Sequence, residues 1–384
     1  MPNDRFTEVT TQSWFGRIGN AFAGIIFGLI LFVVSFVVLF WNEGRAVKQA
    51  KILHEGKGLV QPVPAFDVNP ANNQKLVQLS GKAEANETLA DPEFGIQEKA
   101  LKLSRVVEAY QWQEKQQSHS QKNIGGSETT TTTYDYTTAW SKNLINSAYF
   151  KRPQGHDNPG SMLYSSRDYM ANEIKVGAFS LSDGLKRKIG NAVALDVVSS
   201  TPLPQALQGK AKIIDGKFYF GNNPQSPQVG DLRIGFMVVR PCDVTIVAQQ
   251  FSGALGPYFT KAGGNIEMLR MGTYSADDMF DMAGKDNKNL TWILRAVGFL
   301  LMFIGLSMLS KPLSTLADVL PFLGNIVGMG TGIIAFLFSA VLSLLTIALA
   351  WLAYRPLLGI FLIVAAGGIV YGLGQWKQQQ KAQG

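Results

Sequence analysis

The chain has 384 residues, 46% hydrophobic and 16% charged, and its 35 Lys and Arg outweigh 28 Asp and Glu to give a formal charge of +7. This mixture excludes a protein made only of membrane spans and implies spans joined to an ordinary soluble body. The one cysteine, Cys242, excludes an intramolecular disulfide and any metal site built on several thiolates.

After a tail of residues 1–17, the segment from Ile18 to Trp41 carries no Asp, Glu, Lys or Arg. Its length suffices for one helix to cross a hydrocarbon layer of about 30 Å. A signal peptide would have a shorter apolar region, roughly 7–15 residues, followed by a small-residue cleavage site. The sequence therefore reads as an uncleaved anchor. Trp41 sits at its end as an interface-seeking indole, followed by Asn42, Glu43, Gly44 and Arg45. Beyond that edge Arg45, Lys48 and Lys51 recur every three residues. On a continuing helix they would face anionic lipid headgroups; the plainer alternative is that they only anchor the end of the span.

Residues 42–290 are expected to form a β-rich extramembrane domain. Alternation at Leu76–Ser80 and the turn pair Asp215-Gly216 before Lys217–Phe220 predict strands. Leu101–Glu114 and Thr129–Trp140 predict a long hairpin with a mobile polar tip. The segments 230–239 and 244–250, broken at Arg240-Pro241, predict a second hairpin. Short helices are expected at 178–189 and 275–282, giving an α+β class. Three further spans follow, at 291–309, 325–354 and 355–375, before a tail of 376–384. Arg355-Pro356 supplies the turn between the last two. Between them, 310–324 predicts an interfacial helix, capped by Ser314, with Leu313, Leu316, Leu320 and Leu323 on the bilayer and Asp318 outward. A hydrophobic turn buried in the bundle is the competing reading.

The glycine pairs Gly24/Gly28, Gly328/Gly332 and Gly368/Gly372 have the spacing that lets helices approach closely, within the chain or between copies. Hydroxyl residues at depth, Ser35, Ser339, Ser343 and Thr346, suit helix packing, and no ionisable group sits mid-span to mark an ion path. His54, His119 and His156 lack ligand spacing, and no nucleophile elbow or phosphate loop occurs. Asp277, Asp278 and Asp281 suit a helix start better than a cation site. No enzyme, cofactor, metal or nucleic-acid partner is expected.

Phe40-Trp41-Asn42-Glu43-Gly44-Arg45-Ala46-Val47 and Trp351-Leu352-Ala353-Tyr354-Arg355-Pro356-Leu357 resemble the transmembrane protein 43 (LUMA) family, as does the order of parts along nearly the whole chain. Asp231–Gln250 with Pro257-Tyr258 is similar to a segment of that family's soluble domain. The resemblance implies one N-terminal span, a large non-cytoplasmic domain, three C-terminal spans, and both termini on the cytoplasmic side. It implies no reaction. Eukaryotic members are expected in the endoplasmic reticulum or inner nuclear membrane, with lamins, emerin and membrane organisation, and a bacterial member in the inner membrane. The expected function is a non-enzymatic membrane scaffold that self-associates and contacts lipids and other membrane proteins. The competing class is an oligomeric channel or transporter accessory.

Overall fold

The computed structural model describes residues 4–198 and 203–356. The fourth span at 355–375, except Arg355 and Pro356, and Gly368, Gly372 and the tail 376–384 lie outside the described residues. Among those described are four α-helices: α1 (Trp14–Leu59), α2 (Asp183–Lys188), α3 (Ala276–Ala317) and α4 (Pro321–Tyr354). The chain divides into a β-rich unit (1–9, 55–119 and 131–280) and a helical unit (10–54, 120–130 and 281 onward).

The β-rich unit is built on two principal sheets. One runs in the order 4–12, 128–141, 102–122, 232–239, 217–220, 212–214, and the other carries the long strands 76–84 and 242–251 side by side. Side chains alternate strictly along Lys102–Gln111 and along Leu232–Met237, buried then half-buried, because successive residues of a strand point to opposite faces. The inward set, including Leu103, Val107, Ile234, Phe236 and Val238, joins Val77, Leu79, Val244, Ile246 and Ala248 in one core. Phe94 stands at its centre, fully buried, with its ring 5.2 Å from Phe218 and 5.9 Å from Phe236.

The expected hairpin across Arg240-Pro241 does not form. Strand 232–239 pairs with 102–122 and 217–220, whereas 242–251 pairs with 76–84 and 268–271 in the other sheet. Proline has no amide donor to start a ladder, and both segments carry apolar residues to bury, so the chain changes sheets at the break. The turn at Asp215-Gly216 does form a two-residue hairpin, with both residues at positive φ. The long hairpin is also present, with strands that extend to Lys122 and back from Glu128 and a tip closed by hydrogen bonds. There Asn123 accepts from the Gly126 amide, and its side-chain amide donates to Ser127 and Thr129. The helix expected at 178–189 shrinks to α2, capped by Ser182, because Phe179–Leu181 is a strand.

In the helical unit the spans are longer than the sequence suggested. The short helix at 275–282 and the span at 291–309 are one helix, α3, which begins with a reciprocal cap in which Ser275 and Asp278 each accept from the other's backbone. α3 also absorbs most of the expected interfacial helix, continuing through Pro312 to Ala317; Ser314 bonds back to Lys311 instead of capping. Pro321 then opens α4, where a missing amide costs nothing. α1, α3 and α4 are each long and apolar enough to cross a membrane. Most of their large apolar side chains, such as Ile26, Phe27, Ile293, Phe338 and Leu344, face outward, as lipid contact requires.

Of the glycines expected to pack helices, Gly28 does so closely. A Cβ there would lie 3.0 Å from the Gly305 carbonyl, and one on Gly305 would lie 2.8 Å from the Gly28 carbonyl and the Phe32 amide. Gly24 meets Met308, Gly328 touches only Ser314 at 3.7 Å, and Gly332 meets nothing within 4 Å. Gly305→Val should therefore destabilise the fold by about 1–3 kcal/mol through overpacking, more than Gly332→Val does. Unfolding of both variants in the same detergent checks this. Ser35, Ser339 and Thr346 donate to carbonyls of their own helix, and Ser343 donates to the Met302 sulfur on α3.

Candidate functional site

At the end of the first span, the residues after Trp41 turn inward. Asn42 and Glu43 are buried on α1, and each meets a different part of α3. The two Glu43 oxygens accept from Arg295 Nε at 2.6 Å and Nη2 at 2.9 Å, and the second also accepts from the Trp351 indole of α4 at 2.8 Å. The planar guanidinium fork matches a carboxylate, so the pair is held in one geometry. Arg295 also lies over the Trp292 ring, 4.8 Å from its centroid.

Asn42 donates to the Thr291 carbonyl at 3.0 Å, and its oxygen accepts from Arg45 Nη2 at 3.2 Å. Arg45 further donates to Asn287 and to the Thr291 hydroxyl, each at 3.0 Å. The Arg45 guanidinium is a cation at neutral pH. Gly44 leaves room for Tyr354, whose ring would be 2.6 Å from an added Cβ, and Phe40 packs on the same ring at 5.2 Å. One network thus joins α1, α3 and α4. Its chemistry is that of a clamp, since the carboxylate is ion-paired and each amide has a partner.

A second cluster closes the opposite end of the helical unit. Arg17 donates to Asp318 at 2.5 Å and to the Gly126 carbonyl at 2.6 Å, and pairs with Glu128 at 2.9 Å. Lys122 donates to Asp318 at 2.8 Å and to Asn325 at 3.1 Å. The Trp14 indole donates to the Thr315 carbonyl, and Gly126 lies against the Trp14 ring. Asp318 is 1% exposed, so the expected outward orientation is reversed. Two cations at hydrogen-bond distance offset the hydration this carboxylate gives up when it turns away from water. The segment 120–130, which the sequence assigns to the side opposite the termini, here lies against residues 14–17 and 315–325.

The family profile of transmembrane protein 43 matches residues 109–356. The transmembrane protein 43 of mouse is 37% identical over 364 residues, covering 92% of this chain and 90% of the relative. The chain belongs to the transmembrane protein 43 family. The human member is 36% identical over 354 residues, covering 89% of this chain and 87% of its own, and the Drosophila homolog is 31% identical over 349 residues, covering 88% and 91%. No solved structure matches the chain.

The two strings that carried the family resemblance, Trp41–Arg45 and Trp351–Pro356, are 308 residues apart between Glu43 and Trp351 yet share one network. Arg45, Lys48 and Lys51, expected along one face, all lie on α1. Arg45 is engaged with Asn42, Asn287 and Thr291, leaving Lys48 and Lys51 exposed. Trp41 is exposed beside the clamp, as suits an interfacial indole. Asp277 pairs with Lys57 at 3.2 Å and Asp278 caps α3. Cys242 is half-buried, and burial, followed by the neighbouring Asp243, raises its pKa, so it carries less thiolate than a free cysteine at the same pH. Sequence reasoning missed His156, which is buried, stacked 3.9 Å from Tyr136, and bonded to Asp4 at 2.9 Å. Nothing in the spacing of three scattered histidines signals that contact.

Proposed function

We propose that this member of the transmembrane protein 43 family is a non-enzymatic membrane scaffold, in which a clamped helical unit associates with further copies and with other membrane proteins. The observation that supports this reading is the Glu43 clamp. Its carboxylate is held by two groups from two other helices, which fixes the helix ends instead of presenting a base or nucleophile to a substrate. α4 leaves Gly332 and a broad apolar face uncovered by the described residues, a surface on which lipids or a second copy could pack.

The test is the mass and particle symmetry of the full-length protein in nanodiscs, with cross-linking in native membranes. A dimer or ring is expected. A strict monomer in both settings would overturn self-association, and an open central path with ion flux in vesicles would move the reading to a channel.

A further inference from the structure

We propose that the cavity beside the Glu43 clamp binds the phosphate of an anionic phospholipid headgroup. The cavity has a volume of about 340 Å³ and lies between α1 and α3, with Arg355 at its border. Its apolar wall is Ala46, Ala50 and Leu53 of α1, and Trp292, 66% exposed, stands at its edge. Exposed indoles favour the headgroup level of a bilayer, which sets the depth of the site.

Charge decides the occupant. Three cations line the cavity, Lys288, Arg295 and Arg355, against one carboxylate, Glu43, which is already paired with Arg295. Lys288 and Arg355 are both exposed, and neither forms an ion pair among the described residues. Residues 1–3, 199–202 and 357–384 contain no Asp or Glu, so no side chain outside the described set can neutralise them. The site therefore holds two uncompensated positive charges next to apolar wall at the membrane edge. A phosphate on a diacyl chain answers both features, because its oxygens meet the cations while its acyl chains remain in lipid. The site differs from the Arg45, Lys48 and Lys51 face, and it does not depend on self-association.

The experiment is native mass spectrometry of the full-length protein in detergent, titrated separately with phosphatidylglycerol, phosphatidylcholine and inorganic phosphate. Phosphatidylglycerol is expected to bind the wild type more tightly than phosphatidylcholine, and the double variant Lys288→Gln/Arg355→Gln to lose roughly 10- to 30-fold in that affinity, from about one small increment per cation. The charge-keeping pair Lys288→Arg/Arg355→Lys should retain binding, which separates lost charge from lost fold, and Lys48→Gln/Lys51→Gln should retain it as well. Equal binding of the two lipids, or undiminished binding by the Gln pair, would overturn the proposal. Inorganic phosphate binding as tightly as phosphatidylglycerol would overturn the lipid assignment in favour of a free anion.

Discussion

Replacing Glu43 with alanine should destabilise the protein by about 3–5 kcal/mol, the loss expected when one member of a buried ion pair is removed and the other stays behind. Arg295 would keep its place in a helix end with its counter-charge gone, and the Trp351 indole would lose its acceptor. Glu43→Gln keeps the shape and one acceptor oxygen, so it should fall between wild type and Glu43→Ala. The sharper check is the double variant Glu43→Ala/Arg295→Met. If the pair acts as a clamp, the double change should cost clearly less than the two single changes added together, because it removes both charges at once. Denaturant unfolding in detergent, followed by tryptophan fluorescence, reads the wild type, Glu43→Ala, Glu43→Gln, Arg295→Met and the double variant. Additive losses would show that Glu43 and Arg295 act independently.

Asp318→Ala should have a comparable effect, about 3–5 kcal/mol by the same reasoning, since it leaves Arg17, buried, and Lys122 facing each other without the carboxylate between them. Glu128 still pairs with Arg17 and sets the lower end of that range. The same cluster makes a positional prediction. With Cys242 replaced by alanine, cysteines at positions 122 and 325 should cross-link in intact membranes through a short bifunctional reagent, because Lys122 and Asn325 are in hydrogen-bond contact. Arg17 and Glu43 are 26 residues apart on α1, about 39 Å at 1.5 Å per residue. A cross-link would thus put the hairpin tip at the terminal end of the span and overturn the assignment of all of 42–290 to the other side. No cross-link, with the cysteines reactive from opposite sides, would overturn the contact.

Much of the architecture was legible because it is written in local patterns. A run of apolar residues longer than twenty announces α1, and alternation announces the strands from Lys102 and from Leu232. What a local pattern cannot carry is the choice of partner. Strands 232–239 and 242–251 look like a hairpin because they are adjacent and similar, and only the requirement that both bury their apolar faces in a shared core sends them to different sheets. The clamp shows the same division. Trp41–Arg45 was recognisable as a string, but nothing in it says that Glu43 meets Arg295. Asp318 was misread because a lone acid in an apolar loop is ordinarily turned to water, and its two cations lie near residues 17 and 122.

The two polar clusters sit at opposite ends of the apolar part of α1, and each ties α1 to α3 or to the turn that follows it. Their separation of about 39 Å exceeds a hydrocarbon core of about 30 Å and comes close to the full bilayer with its headgroups. With both ends cross-linked, the helices cannot shorten by sliding or by splaying at one end, and hydrophobic mismatch has to be absorbed by tilting the unit as a whole or by thickening the surrounding lipid. Tilt of the whole unit is then the expected response of this fold to bilayers of different thickness.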